Sequence, residues 1–143
     1  MNEINTCGML IRQIHNALEK RVNNQLKAKG LTLSQMSALI EILNTPARKL
    51  TFKELEKCLS LAQSTTAGLI SRLEQKKLVS VSGDTNDKRI KYVEITSLGE
   101  QFCNEAKQEM ELTEKMLMKN LSAAERKSLL SLLEEVNRTA RKM

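Results

Sequence analysis

Thr51-Phe-Lys-Glu-Leu-Glu-Lys-Cys-Leu59 is a short amphipathic segment, followed by a break at Ser60-Leu61 and a second helical run from Ala62 to Lys77. The leading face of that run is small and polar: Gln63, Ser64, Thr65, Ala67 and Gly68. After Leu78 the apolar period shortens from helical to alternating. Val79–Ser82 reads as a strand, Gly83–Asp87 as a turn, and Ile90–Ile95 as a returning strand. Helix, tight turn, helix, hairpin is the order of a winged helix-turn-helix. In that arrangement the second helix is shaped to enter a DNA major groove.

Outward from this segment the chain is helical. Upstream, Thr32-Leu33-Ser34-Gln35 forms a capping box that opens a helix with Met36, Leu39, Ile40 and Leu43 as its expected buried face. It stops at Asn44-Thr45-Pro46, and Arg48-Lys49-Leu50 is a linker that could supply a stub of strand to the wing sheet. A first helix is expected over 4–29. Its stripe is Ile4, Cys7, Ile11, Ile14, Leu18, Val22 and Leu26, and Gly30 is its stop. At ~1.5 Å per residue it would be ~39 Å long, more than a small core needs, so its spare apolar edge calls for another subunit. Thr51-x-x-Glu54 is a second capping box, with Phe52, Leu55 and Leu59 packing inward. In the run from Ala62, Leu69, Ile70 and Leu73 face the core, which leaves Gln63, Ser64, Thr65, Gly68, Ser71 and Arg72 outside.

Downstream, Thr96-Ser97-Leu98-Gly99-Glu100 starts a fifth helix striped by Phe102, Ala106, Met110, Thr113, Leu117 and Leu121. A third capping box, Ser122-Ala123-Ala124-Glu125, opens a sixth with Leu129, Leu132, Leu133, Val136 and Ala140 as its expected buried face. The fold class is mostly α with a small β-hairpin wing. One domain is expected over 1–143: a reader module at 32–97 between long dimerisation helices at 1–31 and 98–143.

Composition narrows the partner. The chain has a net charge of +6, and between Arg48 and Tyr92 ten Lys/Arg face five Asp/Glu. Most of the net charge therefore falls on the candidate reader, which suits a polyanion. A solvated mixed-charge surface is the competing reading of charge alone. Phe52, Tyr92 and Phe102 are the only aromatics, too few to stack unpaired bases, so single strands and RNA are disfavoured. One histidine, His15, cannot serve a Ser/His/Asp or Cys/His pair or a metal cluster, and no phosphate-binding glycine loop is present. Neither an enzyme nor a cofactor is expected. No apolar run reaches the ~20 residues of a membrane span, and Met1–Asn5 lacks the features of a signal peptide, so a cytoplasmic protein is expected.

Leu59-Ser-Leu-Ala-Gln-Ser-Thr-Thr-Ala-Gly-Leu-Ile-Ser-Arg-Leu-Glu74 with Lys77-Leu78-Val79 resembles the recognition-helix region of the MarR family of bacterial transcriptional regulators. Asp87-Lys88-Arg89 through Ile95-Thr96-Ser97-Leu98-Gly99 resembles that family's wing signature, and the likeness spans the whole chain. The resemblance implies a homodimer held by the first, fifth and sixth helices. It would set its fourth helices in the major grooves of a near-palindromic operator in double-stranded DNA, with the wings in flanking minor grooves. It places Gln63, Ser64 and Thr65 on the groove-reading positions, Arg89 on the wing arginine and Asp87 on its ionic partner. It also implies a repressor released by an oxidant or by a small apolar or phenolic ligand at the junction of dimer helices and reader. The chain departs from the pattern at Ala62, where Ser, Thr or Asp usually opens the helix, and at Gly68, often polar or basic.

The chemistry of these residues fits the implied roles. Gln meets an adenine edge, and Ser and Thr meet bases or phosphates. Arg72 and Lys88 add positive charge beside the reading face and on the turn. Arg89 suits a narrow minor groove, although an exposed Asp87–Arg89 pair would by itself stabilise little. Gly68 costs about 1 kcal/mol in a helix, which either permits close backbone approach to DNA or is tolerated drift. Cys7 is a candidate redox sensor, but it fits its stripe as a small packed residue would and packing is the favoured reading, and Cys58 and Cys103 read as small buried ones. Two other readings stay open: a nonspecific architectural DNA binder and a winged-helix protein-interaction module.

Overall fold

The computed structural model describes residues 5–143. They run α1 (Cys7–Ala28), α2 (Leu33–Leu43), β1 (Lys49–Thr51), α3 (Phe52–Leu59), α4 (Gln63–Gln75), β2 (Val79–Gly83), β3 (Lys91–Ile95), α5 (Ser97–Leu117) and α6 (Ala123–Arg141). Ile4, read as the head of the α1 stripe, lies outside the described residues. The chain forms two compact units, one ending at Cys103 and the other running from Asn104 to Met143. The fold is a winged helix-turn-helix with long terminal helices.

Helices α1, α2 and α3 begin where a side chain satisfies the free amides of the first turn. Thr6 Oγ1 accepts from the Met9 N–H at 3.2 Å. Thr32 and Gln35 close one reciprocal capping box, and Thr51 and Glu54 close another at 3.1 Å each way. Leu39, Ile42, Leu55, Ile70, Leu73, Leu78 and Val93 are fully buried and make the core. Each contributes about 1.5–3 kcal/mol by leaving water. The sheet is antiparallel in the order β1-β3-β2, with β3 central. Val93 pairs with Leu50 on one side and Val81 on the other. Of the linker Arg48-Lys49-Leu50, Lys49 and Leu50 join Thr51 in the edge strand β1, and Arg48 stands outside it at φ 54°.

Three helices of this unit end the same way. After α1, α3 and α4 the chain turns through a left-handed residue, Gly30, Ser60 and Lys77 respectively, with φ of 72°, 54° and 63°. The next amide reaches back to close the turn: Leu31 to Leu26, Leu61 to Glu56, Leu78 to Leu73. Only the first uses glycine, and a side chain in this region costs about 1–2 kcal/mol. Glycine returns part of that by loosening the unfolded chain. Lys77→Gly is therefore expected to stabilise the protein by about 0.5–1 kcal/mol and to raise the melting temperature by about 2–4 °C. A lower midpoint in a thermal melt would contradict this account of the turn.

The structure corrects three local expectations. The inner face of α2 is Gln35, Met36, Ala38, Leu39 and Ile42, while Ile40 is exposed and Leu43 half-buried. The small Ala38, fully buried, allows close approach where a bulky Ile40 would hold the helix off. Cys58 is exposed, because the inward side of the short α3 centres on Leu55 and Cys58 falls on its flank. The wing loop is longer than a tight turn and occupies 84–90. The Asp84 carboxylate rounds it by accepting the Asn86 and Asp87 N–H groups at 3.1 and 2.9 Å, and Ile90 closes it.

In the second unit, Ser122 and Glu125 form the capping box that starts α6. No residue of α6 is buried. Its expected inner face is open, with Leu132 65 % exposed, and Met110 on α5 is 68 % exposed. The 3.6-residue period gathers apolar residues on one side of α6, but nothing in this unit covers them. In the first unit the α1 stripe is likewise open at Cys7, Ile11, Ile14 and Val22, and closed only toward Leu26.

Candidate nucleic-acid interface

Helix α4 separates two faces by its own period. Thr66, Leu69, Ile70 and Leu73 turn inward. Gln63, Ser64, Thr65, Gly68, Ser71 and Arg72 are all exposed. A Cβ added at Gly68 would meet nothing within 4 Å, so the protein itself does not require glycine there. Ala62 occupies the N-cap and offers no side-chain hydrogen bond. The first-turn N–H groups of α4 thus keep their donors and the positive end of the helix dipole free for an anion.

The wing loop carries the second probe. The Arg89 guanidinium grips Asp87 with two bonds, Nε to Oδ1 at 3.1 Å and Nη2 to Oδ2 at 3.0 Å. The Arg89 backbone N–H donates to the same carboxylate at 3.0 Å. These bonds hold the Asp87 carboxyl below the usual range and push the Arg89 guanidinium further up. Asp87 stays ionised at pH values where an ordinary aspartate has begun to protonate. With the Arg89 side chain 91 % exposed, the pair adds little to stability. What it does is fix the direction of a long side chain that would otherwise lose rotamer freedom on binding. Lys88 beside it is exposed. Behind the loop, the Tyr92 hydroxyl donates to Asp84 Oδ1 at 3.3 Å, and the Asp84 charge pushes the phenol up.

Helix and wing meet in one groove of about 690 Å³, lined among others by Thr51, Phe52, Lys53, Gln63, Arg89 and Lys91. Gln63 and the wing Arg89 therefore face a common space, while Ser64, Thr65, Gly68 and Arg72 lie exposed on α4. Lys53, Lys91 and Lys49, whose ammonium sits 4.9 Å from the centre of the Tyr92 ring, were missed as candidates. Lys91 was recoverable, since it is an outward strand position directly after the loop. Lys53 was not, because its closeness to the wing is tertiary. Of the cysteines, Cys7 is exposed and Cys103 is buried, with its thiol pushed up by burial and by Glu100. Among the described residues no His, Cys, Asp and Glu cluster could hold a metal, and no helix is long and apolar enough to cross a membrane.

A family model described as MarR family matches residues 29–90. The multiple antibiotic resistance protein MarR of Escherichia coli is 31 % identical over 136 residues, covering 94 % of this chain and 93 % of that protein. The chain belongs to the MarR family. MarR from Salmonella typhimurium is likewise 31 % identical, over 137 residues and the same shares of both chains. Apo wild-type MarR from E. coli superposes with a TM-score of 0.74 over 94 % of this chain and 98 % of that one, at 31 % identity. MepR, a transcription regulator of a Staphylococcus aureus multidrug efflux pump, shares the fold with a TM-score of 0.86 at 22 % identity, covering 95 % and 99 %. A mutant S. aureus MepR bound to an oligodeoxyribonucleotide gives 0.77 at 22 % identity, covering 96 % and 99 %. As a member of the MarR family, this chain is a transcriptional regulator with the DNA-binding architecture of that family.

Proposed function

We propose that two copies of this chain form a cytoplasmic repressor that reads a near-palindromic operator in double-stranded DNA. The observation that carries the reading is the pairing of an uncapped, outward polar helix face with an arginine held at the wing, both opening on one groove. Gln63, Ser64 and Thr65 read base edges, with Gly68 admitting close approach. Arg72, Lys88 and the oriented Arg89 neutralise phosphates or enter the minor groove. The open apolar faces of α1, α5 and α6 exceed what a monomer leaves scattered on its surface, and a second copy covers them. Residues 1–31 and 98–143 then serve dimerisation and 32–97 serve reading. The repressor binds no cofactor and catalyses nothing. A small ligand or an oxidant releases it. For an oxidant, the exposed Cys7 is the thiol to test, and alkylation faster than a free peptide thiol is the required result.

Selection of bound duplexes from a random pool tests the whole reading. Enrichment of two half-sites about one helical turn apart is expected. A pool with no preferred sequence would leave the architectural alternative, and no salt-dependent binding at all would leave a protein-interaction module. Within the same assay, Gln63→Ala is expected to lower the ratio of selected to random affinity by about fivefold to 150-fold, since one good base contact discriminates by about 1–3 kcal/mol. An unchanged ratio would move base reading to another residue.

A further inference from the structure

At the far end of α4 from Gln63, Lys76 caps the helix and reaches to the turn between α1 and α2. Its Nζ donates to the Gly30 carbonyl and to Gln35 Oε1, the latter at 3.0 Å. Gln35 is 4 % exposed. The same Oε1 accepts from the Thr32 N–H at 3.2 Å, and the Gln35 N–H donates to Thr32 Oγ1 at 3.2 Å. Gly30 is the left-handed residue that ends α1, so the ammonium sits at the negative end of the α1 dipole while belonging to the C-terminus of α4. A flexible lysine is thereby held by three elements at once: the end of α1, the first turn of α2, and its own helix.

We infer that Lys76 is a positioning residue for groove reading. It touches no base and sets the tilt of α4 against the α1–α2 turn, and through that the place of Gln63, Ser64 and Thr65. This deepens the proposed function and rests on α4 being the reading helix. Leverage is the reason the brace matters. With 13 residues α4 is about 20 Å long, so a tilt of about 5° carries its N-terminal end about 1.7 Å. A hydrogen bond to a base edge does not survive a displacement of that size. Contacts to phosphates through long lysine and arginine side chains do, because those side chains follow the backbone. Losing the brace should therefore blunt sequence discrimination and spare nonspecific affinity.

The test uses the full-length protein with the duplex selected above and a random duplex, titrated across a salt series. Lys76→Met keeps the aliphatic stem and removes the cation. It is expected to weaken binding to the selected duplex about tenfold, with random-duplex affinity and salt slope unchanged. Lys76→Arg, which keeps a donor, should recover most of the loss. Gln35→Met should reproduce it, and the double variant should be no worse than either single one. Equal losses on both duplexes with a shallower salt slope would make Lys76 a phosphate contact and overturn the inference. A lowered melting temperature with the affinity ratio intact would make it a merely structural tie and overturn it too. A wild-type protein without sequence preference would instead overturn α4 as the reader, and it is recognised before any variant is made.

Discussion

Arg89→Ala is expected to weaken binding to the selected duplex by about 30- to 150-fold and to flatten its salt dependence. Arg89 is held outward by the Asp87 carboxylate rather than folded onto the protein surface. In the proposed complex its truncation removes a charge held toward the duplex, and the proposed dimer loses two. If each contact contributes about 1–1.5 kcal/mol, the pair accounts for about 2–3 kcal/mol. Each ionic contact releases about 0.9 counterions, so the slope of log affinity against log salt should fall by about 1.8 for the dimer. Stability should hardly change, because the ion pair lost is exposed. A salt titration in which both affinity and slope match the wild type would remove the wing from the mechanism.

The second large effect concerns folding. A Cβ on Gly99 would stand 2.3 Å from the Leu78 carbonyl oxygen and 2.7 Å from the Ile95 side chain. Neither neighbour yields cheaply. The Leu78 oxygen already accepts the Thr96 N–H at 3.0 Å. Thr96 also donates its hydroxyl to the Lys77 carbonyl at 2.7 Å and accepts the Gly99 N–H at 3.1 Å. Admitting one methyl group means pushing the start of α5 off the junction of α4 and β2. Gly99→Ala is expected to cost about 3 kcal/mol, the upper part of the range for overpacking, and to lower the melting temperature by roughly 10 °C. A melt within about 2 °C of the wild type would show that α5 can slide at no cost. Lys77→Gly, two residues before β2, acts on the same junction in the opposite direction.

The helices were legible because their starts are chemical. Thr32, Thr51 and Ser122 each stand three residues before a Gln or Glu, and all three capping boxes form. The outward face of α4 was legible because Leu69, Ile70 and Leu73 fix its opposite side. What the chain hid is which of its apolar faces a single copy covers. The stripes of α1 and α6 have the same period as the buried face of α4, and periodicity does not record whether the covering surface is folded on or supplied by another molecule. Ile40 and Cys58 were misassigned for a related reason: at the rim of a face, inside and outside differ by less than one residue's rotation. The Asp87–Arg89 fork lies two residues apart and could be anticipated. The Lys76 brace joins residues more than forty positions apart, and no local pattern marks it.

The central place of β3 bears on how the protein leaves DNA. Tyr92 pairs with Thr51, the residue that caps α3, and with Ser82 on the other strand of the wing. Traction on the loop is therefore delivered straight to the root of the helix-turn-helix. On this connection arm and helix are expected to let go together rather than one after the other. Dissociation should proceed as a single concerted lift-off of each half, with residence time set by the sum of the two holds instead of by the weaker one.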